Sequence, residues 1–176
     1  LVSDLADLYR YLLSHPDEAT VRDEVAHACA YLAIERARLG DERLVVSQSI
    51  DADAAGIAVP ALLLQPLVEN AVKHGIGARE GAGEVELRAR LEAGLLVLEV
   101  EDAADGPALT DTASSSDAGA GIALATLRER LTKRFGVRAS LELVPTSRGM
   151  IARVSLPAEL GATTARGAAH PTRELP

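Results

Sequence analysis

Glu69, Asn70, Lys73 and His74 fall within one short stretch, LQPLVENAVKHG at residues 64–75. A carboxylate, an amide, an ammonium and an imidazole thus crowd onto an otherwise apolar helical pattern. Residues three and four apart are neighbours on a helix, so Asn70, Lys73 and His74 share a face. Leu63, Leu67, Val68 and Val72 can then point to a core. Alone, the cluster also fits a wet helix face with a Glu69–Lys73 pair at i, i+4, a common and weak arrangement. Two other features change its meaning. Asp102 ends the strand-like LVLEVED and is closely followed by Gly106. A carboxylate there can accept the exocyclic amine of a purine, and a nearby glycine lets the base approach the backbone. Asp105 is a rival for that contact. In GAGIALATLRERL, Gly119 and Gly121 precede a helix start, where free N–H groups and the positive dipole end suit phosphate oxygens. Together these residues supply a base acceptor, an amide for a metal, a cation and a glycine-hinged flap, which are the parts of a nucleotide site. No GxxxxGK[ST] occurs, so a P-loop is excluded as the cradle.

These residues need elements to position them. Leu1, Leu5, Leu8 and Leu12 predict an amphipathic helix over 1–14. Pro16 breaks it, and Thr20 caps a second helix that carries the stripe Val21, Val25, Ala28 and Leu32 and ends near Gly40. The pair forms a helical hairpin, with stripes narrow enough to pack on partner helices. RLVVSQSID predicts a strand, followed by a helix opening after Pro60, in which Pro66 makes a kink or marks the start of the regular part. VELRARLEAGLLVLEVED predicts a hairpin, with Val85, Leu87, Ala89 and Leu91 alternating before the AG turn and Leu96, Leu98 and Val100 after it. Residues 103–120 predict a long mobile loop. A helix follows from Ile122 to Phe135, with Leu124, Leu127, Leu131 and Phe135 inward, and two strands end the set. The expected organisation is a helical segment at 1–41, an α+β unit at 42–160 built as a two-layer α/β sandwich on an antiparallel or mixed sheet, and a disordered tail at 161–176.

Composition narrows the partners. The formal net charge is −8 and only three Tyr and one Phe are aromatic. A duplex binder needs a basic surface and a single-strand binder needs stacking platforms, so nucleic acid is excluded as a direct partner. The lone Cys29 lies in a helical pattern, reads as a small buried residue and suits a reducing compartment. No apolar run reaches the ~20 residues that span a bilayer. The chain begins at Leu1 without a signal-peptide pattern and reads as a fragment of something longer, any membrane anchor lying upstream.

In order and spacing, LQPLVENAVKHG, the strand ending VED, GAGIALATLRERL and the closing GMIARVSLP resemble the ATP-binding domain of sensor histidine kinases. LADLYRYLL and DEVAHACAYLAIERARLGDERL resemble the helices that precede that domain in the LytS-type subfamily. The resemblance covers about residues 1–158. It implies a Bergerat-type (GHKL) ATPase fold, ATP and Mg²⁺ as cofactors, and phosphoryl transfer to a histidine. It further implies that Asn70 coordinates Mg²⁺, that Lys73 and His74 face the phosphates, that Asp102 reads adenine with Asp105 and Gly106 close by, and that Gly119 and Gly121 hinge the lid. Partners implied are a second copy, through the N-terminal helices, and a cognate response regulator. The domain is expected in the cytoplasm, with the parent protein anchored in a membrane.

Hydrolases of this fold place a water-activating glutamate where Pro66 stands here. Glu69 is adjacent to Asn70 and about 100° away around the helix, where it can still polarise a nucleophile in a different direction. A kinase is therefore favoured. None of His15, His27, His74 and His170 has the context of the family's acceptor histidine, so the acceptor is expected upstream. Three departures stand out: DAADGPA for DNGxG, GAGIALAT for GxGIGLxN, and Met150 in place of a threonine. They leave a non-catalytic GHKL module with weak nucleotide binding as the alternative. An anti-sigma-type serine kinase is less consistent with the YLAIERAR helix.

Overall fold

The computed structural model describes residues 17–106 and 117–158, with side chains described from 121 in the second stretch. The expected first helix, the hairpin it would form, the tail and positions 107–116 of the loop lie outside the described residues.

Strand β1 (Glu18–Thr20) leads directly into helix α1 (Val21–Leu39). Thr20 caps α1 through a reciprocal box: its Oγ1 accepts from the Asp23 N–H at 3.2 Å, and its own N–H donates to Asp23 Oδ2 at 3.0 Å. Two otherwise orphaned donors are satisfied at the helix start, which is why the boundary falls there. Val21, Val25, Ala28 and Leu32 are all buried, but against the chain's own sheet and helices rather than partner helices. Cys29 is half-buried, its Sγ 3.7 Å from Gln48 Oε1.

Strand β2 (Leu44–Ile50) is followed by the short α2 (Ala52–Ala55) and β3 (Ala58–Pro60). Strand β3 pairs antiparallel with β1, Ala19 opposite Val59, in a two-stranded sheet absent from the sequence reading. The helix expected after Pro60 begins later: α3 spans Gln65–Asn70, with Pro66 in its first turn. Proline is tolerated there because that N–H has no intrahelical acceptor. Residues 61–64 form turns instead, and Leu62 takes φ +56°. After Asn70 the helix widens into a π-helical segment, Ala71–Ile76.

Among the described residues the main sheet has five strands in the order β2-β4-β5-β7-β6, where β4 is Gly83–Glu92, β5 Leu95–Ala104, β6 Ser140–Pro145 and β7 Gly149–Pro157. Only β2–β4 is parallel, so the sheet is mixed. Val85, Leu87 and Ala89 on β4 and Leu96, Leu98 and Val100 on β5 face the helices and form one core with α1, α3 and the helix that precedes β6. The fold is a two-layer α/β sandwich, as expected. Helix α4 spans Asp117–Phe135, five residues longer at its start than the Ile122 boundary, so Gly119 and Gly121 lie within it rather than before it. Ala103 and Ala104 continue β5, which shortens the expected loop from its other end.

On the opposite sheet face, Glu99 is only 4% exposed. Arg90 donates to it at 2.6 Å, Arg153 at 2.6 Å and Arg88 at 3.2 Å. The Arg90 hydrogen bond above all, joined by those of Arg153 and Arg88 and opposed by burial, holds its carboxyl down to about 2.

Candidate functional site

A cavity of about 180 Å³ opens where the α3–π segment meets β5 and the start of β7, lined by Asn70, His74, Gly75, Arg79, Asp102, Gly149 and Met150. Two of the expected residues from the helix and the expected aspartate from the strand therefore share one wall system. The π-type bonding, seen in the Gly77 N–H donating to Val72 O at 2.7 Å, spreads the turn. Residues four and five apart, Asn70 with His74 and Gly75, then face the same space. Lys73 does not: its Nζ lies 2.9 Å from Glu69 Oε2, in an exposed i, i+4 pair outside the cavity.

Asp102 is the chemical centre of this cavity. It is 4% exposed, and burial pushes its carboxyl up to about 6, against the opposing pull of the Met150 backbone N–H and the Arg79 charge. The closeness is built from two glycines. A Cβ at Gly75 would sit 2.5 Å from both Asp102 Cγ and Oδ1, and one at Gly149 would lie 2.5 Å from Oδ1 and overlap the Asp102 carbonyl oxygen. Only glycine lets helix and strand meet this tightly. The carboxylate is thereby desolvated yet keeps a face to the cavity, an arrangement fitted to a ligand with an N–H donor. The volume is below the ~300–1,000 Å³ of sites enclosing drug-sized ligands, a size with room for a flat ring and none for a charged extension beside it.

Arg79 was missed by sequence reasoning. It stands five residues after His74, beyond the helical pattern, with no spacing to mark it. Its Nη1 donates to Ala104 O at 3.5 Å and Gly106 O at 3.3 Å, which fixes the end of β5 beside the cavity. Gly75 and Gly149 lie within the sequence motifs, but their role needs the register that sets Asp102 opposite Met150. Asp105 points elsewhere: it is an exposed partner of Arg148 at 2.9 Å and does not line the cavity. Gly106 has φ +85° and closes on Gly81. A Cβ at Gly121 would meet nothing within 4 Å.

Glu69 faces a different space. A groove of about 370 Å³ between α3 and α4 is lined by Leu62, Gln65, Pro66, Glu69, Ala123, Thr126, Leu127 and Arg130. The separation of Glu69 from Asn70 follows from their adjacency on a helix. Among the described residues, no three His, Cys, Asp or Glu side chains gather as a metal centre. A single amide such as Asn70 fits a cation that brings its other ligands with it, as Mg²⁺ does when it keeps waters and binds substrate phosphates.

Comparisons with known proteins bear on the fold and the family. The backbone superposes on the histidine kinase domain of the Erythrobacter litoralis EL346 blue-light activated kinase with a TM-score of 0.55 at 21% identity, covering 89% of this chain and 72% of that one. This likeness defines the fold as that of a histidine kinase ATPase domain. The family model described as histidine kinase-, DNA gyrase B- and HSP90-like ATPase matches residues 58–160, and the chain belongs to that family. A histidine kinase model matches residues 1–44. Among curated relatives, sensor histidine kinase BtsS of Escherichia coli K12 is 37% identical over 143 residues, 81% of this chain and 25% of its own length. Sensor protein LytS of Staphylococcus saprophyticus is 32% identical over 165 residues, 89% of this chain and 28% of its own length. The chain thus spans about a quarter of the length of these relatives. No helix among the described residues is long and apolar enough to cross a membrane.

Proposed function

We propose that this chain is the ATP-binding catalytic part of a two-component sensor histidine kinase. The observation that carries the reading is the shared cavity of Asn70 and the buried Asp102, in a chain of the histidine kinase-like ATPase family. ATP is the substrate, and its γ-phosphoryl group passes to a histidine N-terminal to this chain and then to an aspartate of a response regulator. In the first transfer the bond from phosphorus to the β,γ-bridging oxygen breaks, a bond to an imidazole nitrogen forms, and ADP leaves.

Asp102 accepts the adenine amine, and the Met150 N–H holds the carboxylate in place. That contact comes from the backbone, so the departure from threonine at Met150 leaves it intact. Asn70 holds Mg²⁺ through its amide oxygen, with His74 and Lys73 on the phosphate side. Bound Mg²⁺ neutralises charge on the phosphate oxygens, which together with positioning is most of what phosphoryl transfer requires. Pro66 at the water-activating position cannot act as a base, and Glu69, directed into the neighbouring groove, does not substitute for it at the cavity. This favours transfer over hydrolysis. Gly119 and Gly121 serve the lid from inside the first turns of α4, with Asp105 and Gly106 at the far side of the same connection. We further propose an organisation of 1–41 as the end of the dimerisation region, 42–160 as the catalytic unit and 161–176 as a tail. In this reading the parent is a homodimer anchored in a membrane, with this domain in the cytoplasm.

Calorimetric titration with a non-hydrolysable ATP analogue tests the reading. Micromolar, Mg²⁺-dependent binding that is lost in Asn70→Ala is the expected result, and no binding at millimolar nucleotide overturns it. A longer protein carrying the upstream histidine is expected to take acid-labile label from γ-labelled ATP. Tight nucleotide binding without labelling overturns the kinase assignment alone.

A further inference from the structure

Glu24 is an acid that the nucleotide reading does not use, and it lies 1% exposed in the middle of the molecule. It projects from the first turns of α1, and both its oxygens accept backbone donors from the turn before α3: Leu62 N–H at 2.7 Å on Oε1 and Leu64 N–H at 2.9 Å on Oε2. Leu62 is held at φ +56°, a left-handed conformation that a bulky side chain rarely adopts. Leu64 is the residue that opens α3, the helix ending in Asn70. From the other side, Arg130 of α4 donates to Leu62 O at 3.2 Å and lies within the electrostatic reach of Glu24. Its Nε–H is buried without a hydrogen-bond acceptor among the described residues, and burial, helped by the Arg134 charge, disfavours this cation while the Glu24 charge opposes that pull. The same helix grips the strand before α1 through the Arg134–Glu18 ion pair, and β1 is itself paired with β3.

Three elements therefore meet at one buried carboxylate: the helix entering from the N-terminal side, the turn that launches the asparagine helix, and the helix that carries the lid glycines. A turn in a strained conformation keeps its shape only where its surroundings over-determine it. We propose that Glu24, assisted by Arg130, is a positioning residue that sets the orientation of the Asn70 helix relative to Asp102, so that movement of α1 is transmitted to the metal-and-phosphate side of the nucleotide site. This rests on the nucleotide reading given above. Asp102 itself sits on β5, outside the node, so the base contact it makes depends less on Glu24 than do the metal and phosphate contacts carried by the helix.

Glu24→Gln tests this in the full chain. The amide keeps the shape but turns one acceptor into a donor that opposes a backbone N–H. The affinity for a Mg²⁺-bound non-hydrolysable ATP analogue is expected to fall at least tenfold, while metal-free adenosine, followed by chemical-shift titration, changes less than threefold. Amide exchange at Leu62, Leu64, Gln65 and residues 67–70 is expected to accelerate at least tenfold, with β4 and β5 protected as in the wild type. Arg130→Lys leaves the Glu24 oxygens in place and is expected to shift both readouts in the same direction, by less. Wild-type affinity for the ATP analogue in both variants overturns the positioning role, as does an equal loss of both ligands. So does an unfolded Glu24→Gln beside an unchanged Arg130→Lys. Failure of the wild type to bind either ligand instead overturns the nucleotide reading, and this proposal with it.

Discussion

Asp102 is costly to the ligand-free protein, and that cost is measurable. An ordinary aspartate titrates near ~3.9, whereas burial pushes this one up to about 6. Between those values the folded chain holds a proton that the unfolded chain has lost, so stability falls as pH rises through the window. At ~1.4 kcal/mol per pH unit the loss by pH 7 is on the order of 2–3 kcal/mol. Asp102→Asn removes the ionisation and keeps an acceptor for the Met150 N–H. Urea unfolding is expected to find the variant more stable than wild type by on the order of 1–3 kcal/mol at pH 7, with the gap closing near pH 4. A gap that is the same at both pH values would show that Asp102 is not strained by its burial. The same linkage governs the ligand. An amine donor binds the carboxylate, so nucleotide affinity is expected to fall up to tenfold per unit below pH ~6, read by titration at pH 5 and pH 7. Gly75→Ala fills the space beside Asp102 directly. Its Cβ, 2.5 Å from the carboxyl, forces helix and strand apart, with an expected cost of ~1–3 kcal/mol and loss of nucleotide binding in the same sample.

Strand β5 carries different chemistry on its two faces, and each face has its own test. Glu99 is held down to about 2, below the usual carboxylate range, so its contribution is present above pH ~4.5 and is lost as pH falls towards 2. Glu99→Gln leaves Arg88, Arg90 and Arg153 around a neutral group and is expected to destabilise the chain by about 3 kcal/mol at pH 7. The difference narrows in unfolding measurements taken progressively towards pH 2. The inner face of this strand was legible in advance because Leu96, Leu98 and Val100 recur at the two-residue period of a strand, although Val97 and Glu99 on its other face are buried as well. The cap of α1 was legible for a similar reason, since Thr20 announces its own boundary. Strands β1 and β3 were not: three residues carry no period, and their pairing is defined by contact with each other. The start of α3 was misplaced because apolar turn residues such as Leu63 and Leu64 are buried like helix residues. Asn70, His74 and Asp102 were readable as chemistry-bearing side chains, but the cavity also needs Arg79, which its bonds to Ala104 O and Gly106 O hold beside the end of β5, and Gly149, which the pairing of β7 with β5 brings to it.

At the scale of the whole molecule, α1 and the sheet share one hydrophobic core, with Leu32 fully buried alongside Leu44, Leu67 and Leu98. A chain built this way unfolds as one unit from α1 to β7. Leu32→Ala is expected to lower stability by ~2–5 kcal/mol, as one transition that α1 and the sheet report together by amide exchange. Early loss of protection confined to α1 would instead make it a detachable helix, and the coupling through Glu24 could not then operate. Ligand adds a second handle on the same cooperativity. Nucleotide at a hundredfold excess over its dissociation constant stabilises the folded state by ~2.7 kcal/mol. Because every element of the core is linked, that gain is expected to slow global exchange in α1 as much as in β5, although α1 does not line the cavity. Protection that rises around Asp102 and Asn70 but not in α1 would mean that the two layers open independently and that the core, though continuous in space, is not one energetic unit.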